Sequence, residues 1–223
     1  MKRIYFILFF ASCLYAQDLG INGMLGFPQG EFGKNVDRIG YGFNVEGLTG
    51  SLLPDVPFGI GLNIGHLIYG EESERRSLWP DVPGGVDVNR YNTITDFHVL
   101  FQINPLKGSF KPYVEGLFGG AYISTSTSVE SDYTDEDLAS NTNFDDFSWS
   151  YGVGGGLMFE VVEGDEFDPS VYIDLKMRYI FINEAEYLKE GSIDIIGNDI
   201  HYDVYKSDMD LLSINLGVVI SFP

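Results

Sequence analysis

The chain of 223 residues has one cysteine, three histidines and only 13 lysines and arginines. Each scarcity excludes something. A single cysteine builds neither a disulfide framework nor a Cys-rich zinc site. The 13 basic residues face 33 acidic ones, a formal net charge of −20. That excludes the basic surface that nucleic acid requires. Beyond the first residues, no apolar run approaches the roughly 18 residues of a membrane-spanning helix. No stretch keeps a clean 3.6-residue period either. What is abundant is apolar and small: 17 Phe, 14 Tyr and 27 Gly, with 44% of residues hydrophobic, too many for a disordered chain.

Residues 1–16 read as a secretory signal peptide. Lys2 and Arg3 form a basic start, Ile4 to Phe10 an apolar run, and Ala16 a plausible cleavage point before Gln17. Phe10-Ala11-Ser12-Cys13 loosely resembles a lipoprotein box, which leaves acylation of Cys13 as the alternative to cleavage after Ala16. The remainder, 17–223, reads as one domain.

Period-2 alternation recurs in that domain. It marks eight segments, at 19–27, 41–46, 58–65, 95–103, 114–122, 149–159, 171–181 and 212–222. In the last, Leu212, Ile214, Leu216, Val218, Ile220 and Phe222 alternate with Ser213, Asn215, Gly217, Val219 and Ser221. Segments of about ten residues match tilted strands across a bilayer. The connections, 28–40, 51–57, 69–91, 104–111, 124–146, 162–170 and 182–209, alternate long and short. Antiparallel strands crossing a membrane are expected to do this, with tight turns on one side and long loops on the other.

Periodicity alone does not say which face points outward. One face is dense in Phe, Tyr, Leu, Ile and Val, as lipid contact needs; the other holds Gly, Ser, Asn and paired charges, as a narrow lumen needs. Phe27, Tyr41, Trp149, Phe181 and Phe222, with Tyr91 and Phe159, fall near segment ends, as an interfacial aromatic girdle would. The fold expected is therefore all-β: an eight-stranded, antiparallel, up-and-down transmembrane β-barrel.

Four stretches carry a family resemblance: Gly23-Met24-Leu25-Gly26-Phe27-Pro28-Gln29-Gly30-Glu31-Phe32, Lys111-Pro112-Tyr113-Val114-Glu115-Gly116, Asp174-Leu175-Lys176-Met177-Arg178-Tyr179, and the closing run to Phe222, which Pro223 follows. In their order they resemble the first, fifth, seventh and last strands of the small outer-membrane barrels of the OmpA/OmpX-type and opacity-like group. The resemblance spans about residues 18–222. It implies insertion in a Gram-negative-type outer membrane, with outer-membrane lipid as partner and the barrel assembly machinery reading the C-terminal strand. It implies no single activity.

Parity points Glu46, Asp96, Glu115, Glu160, Asp174, Lys176, Arg178 and His98 into the lumen. Buried charges must be paired, so a plug is expected in which Lys176 and Arg178 answer Glu46, Glu115 and Asp174. An acidic lumen passing cations is the alternative. Segments 124–146 and 182–208 are rich in Asp and Glu but lack EF-hand spacing, and read as solvated acidic loops. Ile193, Ile195, Ile200, Tyr202, Val204 and Tyr205 suggest short strands above the membrane. In 69–90, Arg75 and Arg76 are a basic pair, and Trp79 is either a partner anchor or a locally packed side chain.

Catalysis is not expected. No nucleophile elbow or zinc-protease motif occurs, and His66, His98 and His201 lack the serine two residues on that a barrel-borne lipid hydrolase of the lipid A deacylase type carries. Gly152-Val153-Gly154-Gly155-Gly156 reads as packing or curvature in the wall. No cofactor and no metal are expected. The role expected is structural or surface-interacting, through long acidic loops. A narrow channel and a soluble barrel with an apolar ligand are the alternatives.

Overall fold

The computed structural model describes residues 17–49, 57–77, 85–106, 108–131, 134–189, 191–196 and 199–223. The expected signal peptide at 1–16, with Cys13, lies outside the described residues, as do Trp79, Pro80, Pro83 and Asp132.

Eight strands close on themselves: β1 (Asp18–Pro28), β2 (Gly40–Leu48), β3 (Phe58–Ser77), β4 (Gly85–Ile103), β5 (Phe110–Ser131), β6 (Thr134–Val162), β7 (Ser170–Ile182) and β12 (Leu211–Ser221). Every pair is antiparallel between sequence neighbours, and β12 closes the ring on β1, from Asp18 opposite Ser221 to Pro28 opposite Leu211. Closure leaves the barrel wall no open edge. Between β7 and β12 lie four short strands, β8 (Ala185–Tyr187), β9 (Ile193–Ile196), β10 (Asp199–Tyr202) and β11 (Tyr205–Ser207), paired as β8 with β11 and β9 with β10. A six-residue helix, α1 (Gly30–Asn35), follows β1, and Gly30 opens it at a positive φ of 58°.

The barrel has a loop end and a turn end. β1 and β12 have 11 residues each. At about 3.3 Å per residue and about 40° tilt, such strands stand about 28 Å tall, close to the apolar band of a membrane barrel.

Two long connections are shorter than expected. Segments 69–91 and 124–146 are mostly strand, because β3–β6 run on for 20, 19, 22 and 29 residues. Val86 to Asn92 pair with Ser131 to Thr125 beyond the loop end. There no face meets lipid, so Ser and Thr replace the apolar alternation that marks the strands below. The expected strands within 193–205 are present as β9, β10 and the start of β11.

The polarity is that of a membrane barrel. Val153 and Leu216 are 61% and 60% exposed, whereas Asp174 and Arg178 are 0% and 2% exposed. Ile21, Leu25, Phe43, Phe97, Phe101, Phe118, Tyr151, Ile173 and Met177 share the exposed outer face. Left in water, that surface would cost on the order of tens of kcal/mol at about 25 cal/mol per Å². It is far larger than the patches soluble monomers tolerate. A soluble barrel with an apolar interior has the reverse arrangement.

Candidate functional site

The interior is built from the inward positions of all eight barrel strands. Three alternate, inward-pointing residues of β7, Asp174, Lys176 and Arg178, supply its charged spine. Arg178 Nε donates to Glu115 Oε1 at 2.5 Å, Nη2 to Glu46 Oε2 at 2.8 Å, and Nη1 to Asn63 Oδ1 at 2.8 Å. Lys176 Nζ donates to Glu46 Oε1 and lies 2.9 Å from Asp174 Oδ2, an ion pair outside hydrogen-bonding geometry. Tyr113 donates its hydroxyl to Asp174 Oδ1 at 2.8 Å. One guanidinium and one ammonium thus hold three carboxylates, one each from β2, β5 and β7.

The network continues through Asn63, which donates to Asp96 Oδ1 at 3.0 Å. His98 joins Asp96 Oδ1 through Nδ1 at 3.0 Å and Ser150 Oγ through Nε2 at 2.8 Å. A separate amide chain runs from Asn22 to Asn44 (3.0 Å), to Asn215 (2.8 Å), to Ser213 (3.1 Å). Together the two chains tie every strand of the barrel to another through the lumen. Of the expected inward acids, Glu46, Asp96, Glu115 and Asp174 are buried here; Glu160 lies toward the turn end, half-buried, accepting from Tyr172.

Small residues opposite the charges make the room. A Cβ at Gly20 would stand 2.9 Å from Glu46 Cγ, at Gly65 2.4 Å from Asp96 Oδ2, and at Gly154 2.9 Å from Glu115 Oε1. At Gly156 it would meet the Tyr113 hydroxyl at 2.4 Å. Gly154 and Gly156 belong to the glycine run read as wall packing. Their inward side is clearance for the network.

Sequence reasoning missed the Asp96–His98–Ser150 constellation. It has the hydrogen-bond order of a hydrolase triad. Each member is nearly or wholly buried, Ser150 at 0% exposure. A nucleophile must meet its substrate; this serine meets packed protein, so the chain of bonds satisfies buried polar groups. Inward parity for Ser150 was visible, but its depth beside His98 depends on the β4–β5–β6 register.

The lumen is not polar throughout, contrary to expectation. Toward the loop end, Met24, Leu67, Tyr69, Ile94, Ile123, Ile180 and Leu211 form a buried apolar layer. The loops seal it. Phe32 of α1 stands edge-on to Tyr69 and to Tyr187 of β8, each at 5.3 Å. Asn35 Nδ2 donates to the Tyr187 hydroxyl at 2.8 Å, and Tyr69 donates to the Leu188 carbonyl at 3.1 Å. Toward the turn end, Tyr113, Met158, Tyr172 and Val219 form another cluster. Apolar residues below, charges in the middle and a folded cap above fill the interior.

On the outer wall, aromatics gather toward both ends. Phe110 faces Phe159 at 5.1 Å near the turn end, where Phe222 also lies. Near the loop end, Trp149 stacks on Phe118 at 5.9 Å and Phe181 on Tyr151 at 5.1 Å, with Phe27 and Tyr41 on neighbouring strands.

No family model matches the chain, and no curated protein does. Among solved structures it is similar to Neisserial surface protein A, at 12% identity and a TM-score of 0.44, over 92% of this chain and 96% of that one. It is similar to Ail, the attachment invasion locus protein of Yersinia pestis, at 12% and 0.41, over 92% and 95%. It is similar to a major outer membrane protein from Thermus thermophilus at 13% and 0.43, over 92% and 98%. At these values the likenesses are of chain path alone. The barrel's own strands and polarity define its class: an eight-stranded transmembrane β-barrel of the outer-membrane type.

Proposed function

We propose that this chain is an integral outer-membrane barrel that neither conducts nor catalyses, and that it carries a folded acidic loop end on the cell surface. The observation that carries the reading is the inverted polarity: lipid-compatible side chains outside, a salt-bridged network inside. The filled interior supports an anchor over a channel. The residues Glu46, Asp96, Glu115, Asp174, Lys176 and Arg178 act as a structural plug in this reading. The aromatic residues Phe27, Tyr41, Trp149, Phe181 and Phe222 act as its interfacial girdle.

The loop end supports a surface role. The β8–β11 segment is tied to β6 by Glu186 N donating to Asp146 Oδ2 at 2.8 Å, and to itself by the exposed Lys206–Glu184 pair at 3.0 Å. Outer-membrane lipid is the proposed partner of the wall. The assembly machinery is the proposed partner of β12 and Phe222, whose backbone N–H bonds the Gln17 carbonyl at 2.6 Å. Residues 1–16 would route the chain for export.

Envelope fractionation with gel electrophoresis tests the reading. The protein should sediment with outer membranes and migrate differently in mild detergent before and after boiling. Recovery in the soluble extract with no mobility shift would refute it. Planar-bilayer recording should show no steady conductance.

A further inference from the structure

A cleft of about 290 Å³ opens at the loop end, where the chain leaving α1 meets the first residues of the β3–β4 extension. Asn35, Asp37, Arg38, Gly70, Asn92 and Lys189 are among the residues that line it.

Three observations mark it as built to hold something. Asn92 is 5% exposed, and its Oδ1 accepts from Thr125 Oγ1 at 2.7 Å. Its Nδ2 donates to no partner among the described residues and opens onto the cleft that Asn92 lines. Gly70 sits at the β3 bulge opposite Asn92. A Cβ there would stand 2.6 Å from that same Nδ2, so glycine makes the room that the Asn92 side chain occupies at the edge of the cleft. Lys189 places its ammonium 4.2 Å over the Tyr205 ring, with no carboxylate partner among the described residues, in a chain of net charge −20. Arg38 is held nearby, its Nη1 donating to the Glu71 carbonyl at 3.1 Å.

The lining sets the ligand chemistry. The Lys189 ammonium and an unspent amide donor suit an anion. The Asp37 carboxylate and the Asn35 side-chain oxygen suit hydroxyl donors. A site of this volume is at the low end for small molecules. We propose that the cleft binds one sugar unit bearing a phosphate or a carboxylate. Such a unit has two sources, a glycolipid headgroup in the adjoining leaflet or a soluble glycan. The outer wall is close: Tyr41 donates to Glu71 Oε2 at 2.9 Å, one residue beyond Gly70. The inference rests on the membrane reading for that placement, and gel mobility of the same samples tests that reading separately.

The test uses the full chain, with labelled asparagine side chains, in phosphatidylcholine nanodiscs. Glucose 1-phosphate and glucuronate are titrated in one arm. Lipid A replaces part of the lipid in the other. The Asn92 side-chain amide should shift saturably in at least one arm. Lys189→Glu should weaken the response at least tenfold, and Lys206→Glu should leave it unchanged. A response to free sugars identifies a soluble glycan; a response to lipid A alone identifies a headgroup. Should Lys189→Glu not fold, Lys189→Gln should weaken binding about threefold. No saturable shift in either arm, or equal binding by wild type and Lys189 variants, overturns the proposal.

Discussion

Arg178 meets Glu115 twice, Nε to Oε1 at 2.5 Å and Nη2 to Oε2 at 3.1 Å, in the middle of a closed barrel. The same guanidinium reaches Glu46 and Asn63. Bidentate, charge-assisted geometry is what lets a buried ion pair offset its desolvation. Replacing Arg178 with Met strips the buried Glu115 carboxylate of its cation and leaves Glu46 to Lys176 alone. The variant should lose about 3–5 kcal/mol, read as a lower urea midpoint in vesicles. Arg178→Lys should lose less, because charge remains but the fork is gone.

The glycines opposite the network should be far less tolerant than those facing lipid. A Cβ at Gly154 meets Met177 O at 2.8 Å and Arg178 Cγ and Glu115 Oε1 at 2.9 Å. Gly154→Ala should cost about 1–3 kcal/mol. At Gly116 nothing lies within 4 Å, so Gly116→Ala should change the midpoint little. Equal effects at both sites would contradict the packing.

The wall should punish charge according to depth. Leu216 is midway along β12, opposite Leu175 and Gly23, and 60% exposed. Leu216→Arg should cost about 2–4 kcal/mol, while Ile220→Arg, near the turn end, should cost about 0–1 kcal/mol. If the face met water, both would be neutral.

The cap should loosen before the barrel does. Phe32 is wholly buried between Tyr69 and Tyr187. Phe32→Ala should open segment 183–210 to limited proteolysis, with the barrel's heat-dependent mobility shift intact. Loss of that shift instead would make the cap part of the barrel's cooperative unit.

Much of this was legible in the sequence. Alternation marked the inward charges of β7 and the outward residues of β12, because one face meets lipid and the other a narrow lumen. Four things were not. The β3–β6 extensions lack an apolar face, so periodicity ends at the membrane while the strands do not. α1 has six residues, too few for a helical period to register. The apolar layer of Met24, Leu67, Ile94, Ile180 and Leu211 shares parity with the charges; parity assigns a side, not a depth. The pairing of His98 with Ser150, 52 residues on, and of Gly154 with Arg178 depends on register across strands, which no single segment encodes.

One turn should titrate below its ordinary range. The exposed Asp165 carboxylate accepts from the Phe167 and Asp168 N–H groups at 2.8 and 3.0 Å, and these bonds hold its pKa down. A lowered folded pKa means the contribution is present above the unfolded value and lost as pH falls through the folded one. NMR titration should place the Asp165 midpoint below that of an unstructured aspartate. Protection of both amides, taken relative to their intrinsic exchange rates, should fall at acid pH, and a midpoint at the ordinary value would remove the effect.

The central claim is that the apolar face meets lipid. Trp149 projects from that face, 59% exposed, and the only other tryptophan is Trp79. In a Trp79→Phe variant reconstituted in vesicles, brominated phosphatidylcholines carrying bromine near the headgroup should quench the fluorescence strongly, and aqueous iodide weakly. Strong quenching by iodide with none by brominated lipid would contradict the account.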